Sequence, residues 1–118
     1  MITMNSNVWS KGDNITTKRF GNIDVILNEN SPKTVLLYSI ENPQNIIMFY
    51  KSELINIFSY KSRKHNFYKK LMIRDIEVNI GQDWLMFIQK HKIFHIYFDT
   101  HKQIANYLKL TEKENYNE

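Results

Sequence analysis

The chain has 118 residues, no cysteine, 42% apolar residues and a formal charge of +4. That length and apolar content support one domain with a modest core, and the missing cysteines exclude a disulfide framework, a thiolate zinc site and a thiol nucleophile. The opening stretch MITMNSNVWSKGDN has no apolar stretch of signal-peptide length, and no apolar run nears the ~20 residues of a spanning helix, so a soluble, intracellular protein is expected.

Residues 1–13 are polar and are expected to form a flexible N-terminus. Between 14 and 30 two periods compete: Ile15, Phe20, Ile23 and the pair Ile26-Leu27 fit helical spacing, while Ile23, Val25 and Leu27 alternate like a strand. Gly21-Asn22 interrupts either, and a helix is the favoured reading. Ser31-Pro32-Lys33 punctuates the chain before a clear strand at 34–40 (TVLLYSI), and Glu41-Asn42-Pro43-Gln44 turns it. Residues 46–50 and 54–60 are β-branched and aromatic enough for a second and a third strand. A charged loop at 62–66 precedes a strand candidate at 67–73, and 77–80 reads as a short edge or a loop end.

After the turn Gly81-Gln82-Asp83, two aromatic-rich runs, 84–88 and 93–98, flank Gln89-Lys90-His91-Lys92, which predicts a hairpin with a loop of about four residues. Thr100 is placed to cap a helix and Gln103, three residues on, to reach back as in a capping box. Ile104, Tyr107 and Leu108 supply its apolar face. The tail at 113–118 is charged and is expected to fray. No linker and no internal repeat is visible, so 14–112 reads as one domain. The predicted fold is α+β, mainly β: a pleckstrin-homology/EVH1-like antiparallel sandwich of six or seven strands, with a C-terminal amphipathic helix and an N-terminal helix.

Catalytic chemistry is missing from the pattern. Glycines 12, 21 and 81 are too scattered to cradle a phosphate, and no serine sits in a nucleophile elbow. His91 and His95 are four apart with Asp99 and His101 nearby, but no helical His-Glu frame surrounds them, so neither a metal nor a cofactor is expected. Asp75 and Glu77 form a close carboxylate pair, beside Arg74. An enzyme is not expected. The basic residues Lys61, Arg63, Lys64, Lys69, Lys70 and Arg74 interleave with Tyr60, Phe67 and Tyr68. Such a mixture is either a solvated loop among core aromatics or a contact for phosphates and stacked bases.

LMIRDIEVNI (71–80), with Asn79 five residues after Arg74, resembles the Asn-Arg-x-Ser-x-x-Asn-Leu stretch of the decapping protein 1 family, the EVH1-type activating subunit of the mRNA decapping complex. FYKSELINIFSY (49–60), VLLYSI (35–40) and IFHIYFDTHKQIANYL (93–108) are similar to further stretches of that family, in the same order. Phe49 and Tyr97 stand where the family has tryptophans, and Gly21-Asn22 where it has Asp-Pro.

The resemblance implies a cytoplasmic regulatory protein, found with mRNA-decay granules, that binds and activates the Nudix decapping subunit and meets mRNA at most indirectly. It implies an interface for that subunit at Ile23, Ile26 and Leu27. An aromatic cleft at Tyr38, Phe49 and Tyr97 would take proline-rich segments of enhancer proteins, because flat rings pack between the prolines of a stiff polyproline-II helix. Arg74 and Asn79 would pin a loop. Two other readings stand beside it. One is a pleckstrin-homology-like module binding an anionic lipid headgroup or a peptide, with Arg63, Lys64, Lys69 and Lys70 as its basic patch. The other is a small single-stranded nucleic-acid binder that stacks bases on Tyr60, Phe67 and Tyr68.

Overall fold

The computed structural model describes residues 14–58 and 66–116. It opens with β1 (Ile15–Phe20) and β2 (Ile23–Asn28), then β3 (Thr34–Ser39), β4 (Ile46–Tyr50) and α1 (Lys51–Phe58). The second half is β5 (Tyr68–Ile73), β6 (Ile76–Gly81), β7 (Trp84–Gln89), β8 (Lys92–Tyr97) and α2 (Phe98–Tyr116). Four strands and a helix thus occur twice, a repeat that leaves no trace in residue identities. Each half is a four-stranded antiparallel sheet in sequential order, β1-β2-β3-β4 and β5-β6-β7-β8. No helix among the described residues is long and apolar enough to cross a membrane.

The helix expected at 14–30 is instead the β1–β2 hairpin. Phe20 pairs with Ile23, so Gly21-Asn22 is a two-residue turn, with Gly21 at φ 59°. A Gly-Asn dipeptide between apolar runs is a hairpin signal, because the first turn position needs the left-handed conformation that glycine adopts without strain. The period-two alternation of Ile23, Val25 and Leu27 prevails over the helical spacing. Arg74 (φ 54°) and Lys90 (φ 57°) hold the same conformation without being glycine. They open the two-residue turns of β5–β6 and β7–β8, the latter closed by Gln89 opposite Lys92 rather than by a four-residue loop.

The strand expected at 54–60 is replaced by α1 as far as Phe58; residues 59–65, including Tyr60, lie outside the described residues. Leu54, Ile57 and Phe58 sit at helical spacing and are buried. The Glu53 carboxylate accepts the Tyr50 N–H at 2.8 Å, the reach-back of a capping box that starts a helix directly behind β4. α2 begins at Phe98, two residues before the expected cap at Thr100, and runs to Tyr116, past the expected domain end at 112.

One continuous core fills the space between the sheets. Val25, Val35, Leu37, Ile47 and Phe49 meet Val78, Ile80, Leu85, Phe87, Phe94 and Ile96, with Leu54 and Phe58 of α1 and Ile104 and Leu108 of α2. Each such side chain contributes about 1.5–3 kcal/mol on burial. On one side the sheets are tied by side chains that reach the β4 region. Asn45 donates to the Ile93 carbonyl at 2.7 Å, Lys92 to the Ile46 carbonyl at 3.1 Å, and Arg74 to the Met48 carbonyl at 3.0 Å. Acceptors on an edge strand that would otherwise need water are thereby satisfied.

Candidate functional site: the outer face of the second sheet

Side chains alternate across a strand, and in β5–β8 the residues facing away from the core form three rows. The registers place Tyr68 opposite Gly81 and Trp84 opposite Tyr97. Lys70 lies opposite Asn79, which itself faces Met86, and Met86 faces His95. Met72 lies opposite Glu77, and Ile88 opposite Ile93. Tyr68 is 58% exposed and Tyr97 65%, and Met72 and Ile93 are also exposed, while Trp84 and Met86 are half-buried. Large apolar side chains gathered on one open face mark a contact surface more often than scattered ones do.

The aromatic row depends on Gly81. The Trp84 indole lies across the backbone of β6, where a Cβ on Gly81 would come within 2.1 Å of it. Glycine lets the ring reach over a neighbouring strand, to 6.2 Å from the Tyr68 ring. Tyr68 is oriented in turn. Its hydroxyl donates to the buried Asn79 side-chain oxygen, and the Asn79 amide donates to Glu77 at 2.9 Å. Lys70 lies 3.4 Å from the other Glu77 oxygen. The Asn79 hydrogen bond holds the Glu77 carboxyl below its ordinary range, against the opposing effect of desolvation, with the Lys70 charge adding to the lowering. Beside this chain a shallow depression of about 330 Å³ is lined by Asp83, Trp84, Met86, His95 and Tyr97.

Flat π faces, an ammonium and an imidazole on a rigid sheet can stack planar rings and meet negative charge. Among the described residues no group of three or more His, Asp or Glu side chains is placed to hold a metal. His91 lies in the β7–β8 turn, His95 on the outer face, and His101 is buried in α2 against Phe58.

The structure disperses the residues expected to form a peptide cleft. Tyr38 is half-buried on the outer face of the first sheet, beside Ile26 and Leu36. Phe49 is in the core, 4.8 Å from the Phe87 ring, and Tyr97 is on the opposite outer face. They line no common surface. The expected interface residues also divide: Ile23 and Leu27 face the core side and Ile26 the outer side, the necessary result of a strand replacing a helix. Arg74 makes a two-pronged pair with Glu53 at 2.9 and 3.2 Å. Asn79 acts separately, within the second sheet. Of the basic patch, Lys69 and Lys70 lie on β5, and Arg63 and Lys64 fall outside the described residues. Phe67 is half-buried against the core, whereas Tyr68 is a platform.

Trp84 and Gly81 are central to this face, yet no pattern within either strand marks them. Their signal is the Gly-x-x-Trp spacing around the 82–83 turn, which becomes meaningful only once β6 and β7 are known to pair. No known family, curated protein or solved structure matches the chain.

Proposed function

We propose that the protein is a non-catalytic module that binds single-stranded nucleic acid across the outer face of β5–β8. The observation that carries this reading is the row Tyr68–Trp84–Tyr97, with Lys70 and His95 in the next row. Stacking of a base on an aromatic side chain is worth ~1–3 kcal/mol and tolerates any base, while cations beside the platforms follow the backbone. Charge favours this occupant. The residues that lead into Tyr68 are Lys61, Arg63, Lys64 and His65, and Lys69 and Lys70 follow it, against Glu77 and Asp83 on the face itself.

The test is fluorescence anisotropy with labelled single-stranded DNA and RNA oligonucleotides over a range of salt. Micromolar binding that weakens as salt rises, and that is lost in Trp84→Ala and Tyr97→Ala, is expected. No binding at low salt, or binding indifferent to both substitutions, sinks the proposal.

A second reading has one observation in its favour. Two antiparallel sheets with a C-terminal helix are compatible with a β-sandwich like that of the decapping-activator resemblance, and Tyr97 is an exposed aromatic on it. In that reading the chain docks on a Nudix decapping subunit, using another surface than the divided Ile23, Ile26 and Leu27 set. Mixing the two proteins and measuring complex formation and cap release tests it; no complex at micromolar concentration removes it.

A further inference from the structure

The depression on the outer face of β7 and β8 carries side chains that can tell one base from another. The Trp84 indole leans over Gly81 of β6, away from its register partner Tyr97 on β8, and the depression of about 330 Å³ opens between them. That volume is near the lower end for small-molecule sites and suits one flat ring system. Met86 and His95, also register partners, line it one row further along, and Asp83 lines it from the turn that leads into β7. Glu77 and Asp75 are engaged within the sheet: Glu77 accepts the Asn79 amide at 2.9 Å and Asp75 the Gln89 amide at 3.1 Å. Asp83 instead stands exposed beside the two aromatic residues.

A carboxylate accepts hydrogen bonds and donates none, so its place among stacking rings decides which base it can meet. Guanine presents two adjacent donors, N1–H and the N2 amino group, on one edge. Adenine and cytosine place an acceptor nitrogen beside their amino group, and thymine and uracil flank one N–H with two carbonyls. Each of these sets a lone pair against the carboxylate and leaves an acceptor unmet. We propose that the depression holds a guanine base of the single strand, stacked on Trp84 and Tyr97. Its N1–H and N2 amino groups donate to Asp83, and its O6 or N7 accepts from the His95 imidazole. Met86 adds an apolar contact to the ring. This rests on the nucleic-acid reading of the same face and adds the base that the face prefers.

The test is fluorescence anisotropy of the full chain with labelled oligothymidylates that carry a single central guanine, adenine, cytosine or hypoxanthine, beside the all-thymine strand. A lone guanine avoids four-stranded structures. The guanine strand is expected to bind tightest, by about fivefold or more over the all-thymine strand. Hypoxanthine lacks the N2 amino group, so its strand should fall between the two. Asp83→Ala, at an exposed turn position, is expected to bring the guanine-to-thymine ratio to about one, whereas Trp84→Ala weakens every strand. Equal binding of all strands by the wild type, or a guanine preference that survives Asp83→Ala, would overturn the guanine site and leave the nucleic-acid reading in place. No binding by any strand at low salt removes both.

Discussion

The two halves share one topology and treat their outer faces in opposite ways. On the first sheet the central outward residues Ile26 and Leu36 are 0% and 2% exposed, packed with Tyr38, Ile46 and Met48. The charged pair there, Arg19 with Asp24 at 3.0 Å, is internal to the hairpin. On the second sheet the equivalent face leaves Tyr68, Met72, Ile93 and Tyr97 exposed. A folded chain gains nothing in stability by leaving such side chains in water. The same four-strands-and-helix unit therefore serves consolidation in one copy and, as proposed, recognition in the other.

The largest effect separates core from face. Phe49→Ala removes a fully buried ring that packs on Phe87, and a loss of about 3–5 kcal/mol in denaturant unfolding is expected. Tyr97→Ala is expected to change stability by less than about 0.5 kcal/mol, as at other exposed positions. Equal losses would remove the distinction between the two aromatics. Next in size is ligand affinity. Trp84→Ala is expected to weaken oligonucleotide binding by about 1–3 kcal/mol, whereas Tyr38→Ala, on the other outer face, leaves it unchanged. If Tyr38→Ala proved as damaging as Trp84→Ala, the two faces would not differ in function. A sharper variant is Gly81→Ala. The added methyl occupies the space of the Trp84 indole, so tryptophan fluorescence should shift and binding should fall towards that of Trp84→Ala. Unchanged emission with unchanged affinity would show that the notch does not set the platform.

How much of this was legible in the sequence follows from the range of each interaction. The strands at 34–39, 46–50 and 84–97 and the helix behind them rest on local period and apolar runs, and these are visible in one dimension. Local signals also existed where the expectation differed. Gly21-Asn22 carried a hairpin, and Glu53 ahead of Leu54, Ile57 and Phe58 carried a helix start, but each competed with a second period in the same residues. The site was less legible because alternation tells which residues share a face and not which face is covered. Tyr38, Phe49 and Tyr97 are all aromatic residues in strands, and only the packing of two sheets sends one to the core and the others to opposite surfaces. The partnership of Tyr68, Gly81, Trp84 and Tyr97 needs three strand registers at once.

The smallest effect tests how the two halves are joined. Arg74, in the β5–β6 turn, reaches Glu53 of α1 and the Met48 carbonyl of β4, so the pair spans both units. Burial alone would raise the Glu53 carboxyl above its ordinary value of 4.5. The hydrogen bonds from Arg74 and the Tyr50 N–H, with the Arg74 charge, outweigh it and lower the group. A carboxyl lowered in the folded state adds stability above its unfolded value, and that stability is lost as pH falls through the folded value. Replacing Glu53 by Gln removes the titration, so the wild-type and variant unfolding curves should be separated at neutral pH and converge as pH falls below the ordinary carboxyl range. The separation should stay within about 1 kcal/mol, because the Arg74 side chain is about a third exposed and solvent screens the pair. Parallel curves from pH 3 to 7 would mean that the carbonyl bonds to β4, rather than the ion pair, hold the second sheet to the first.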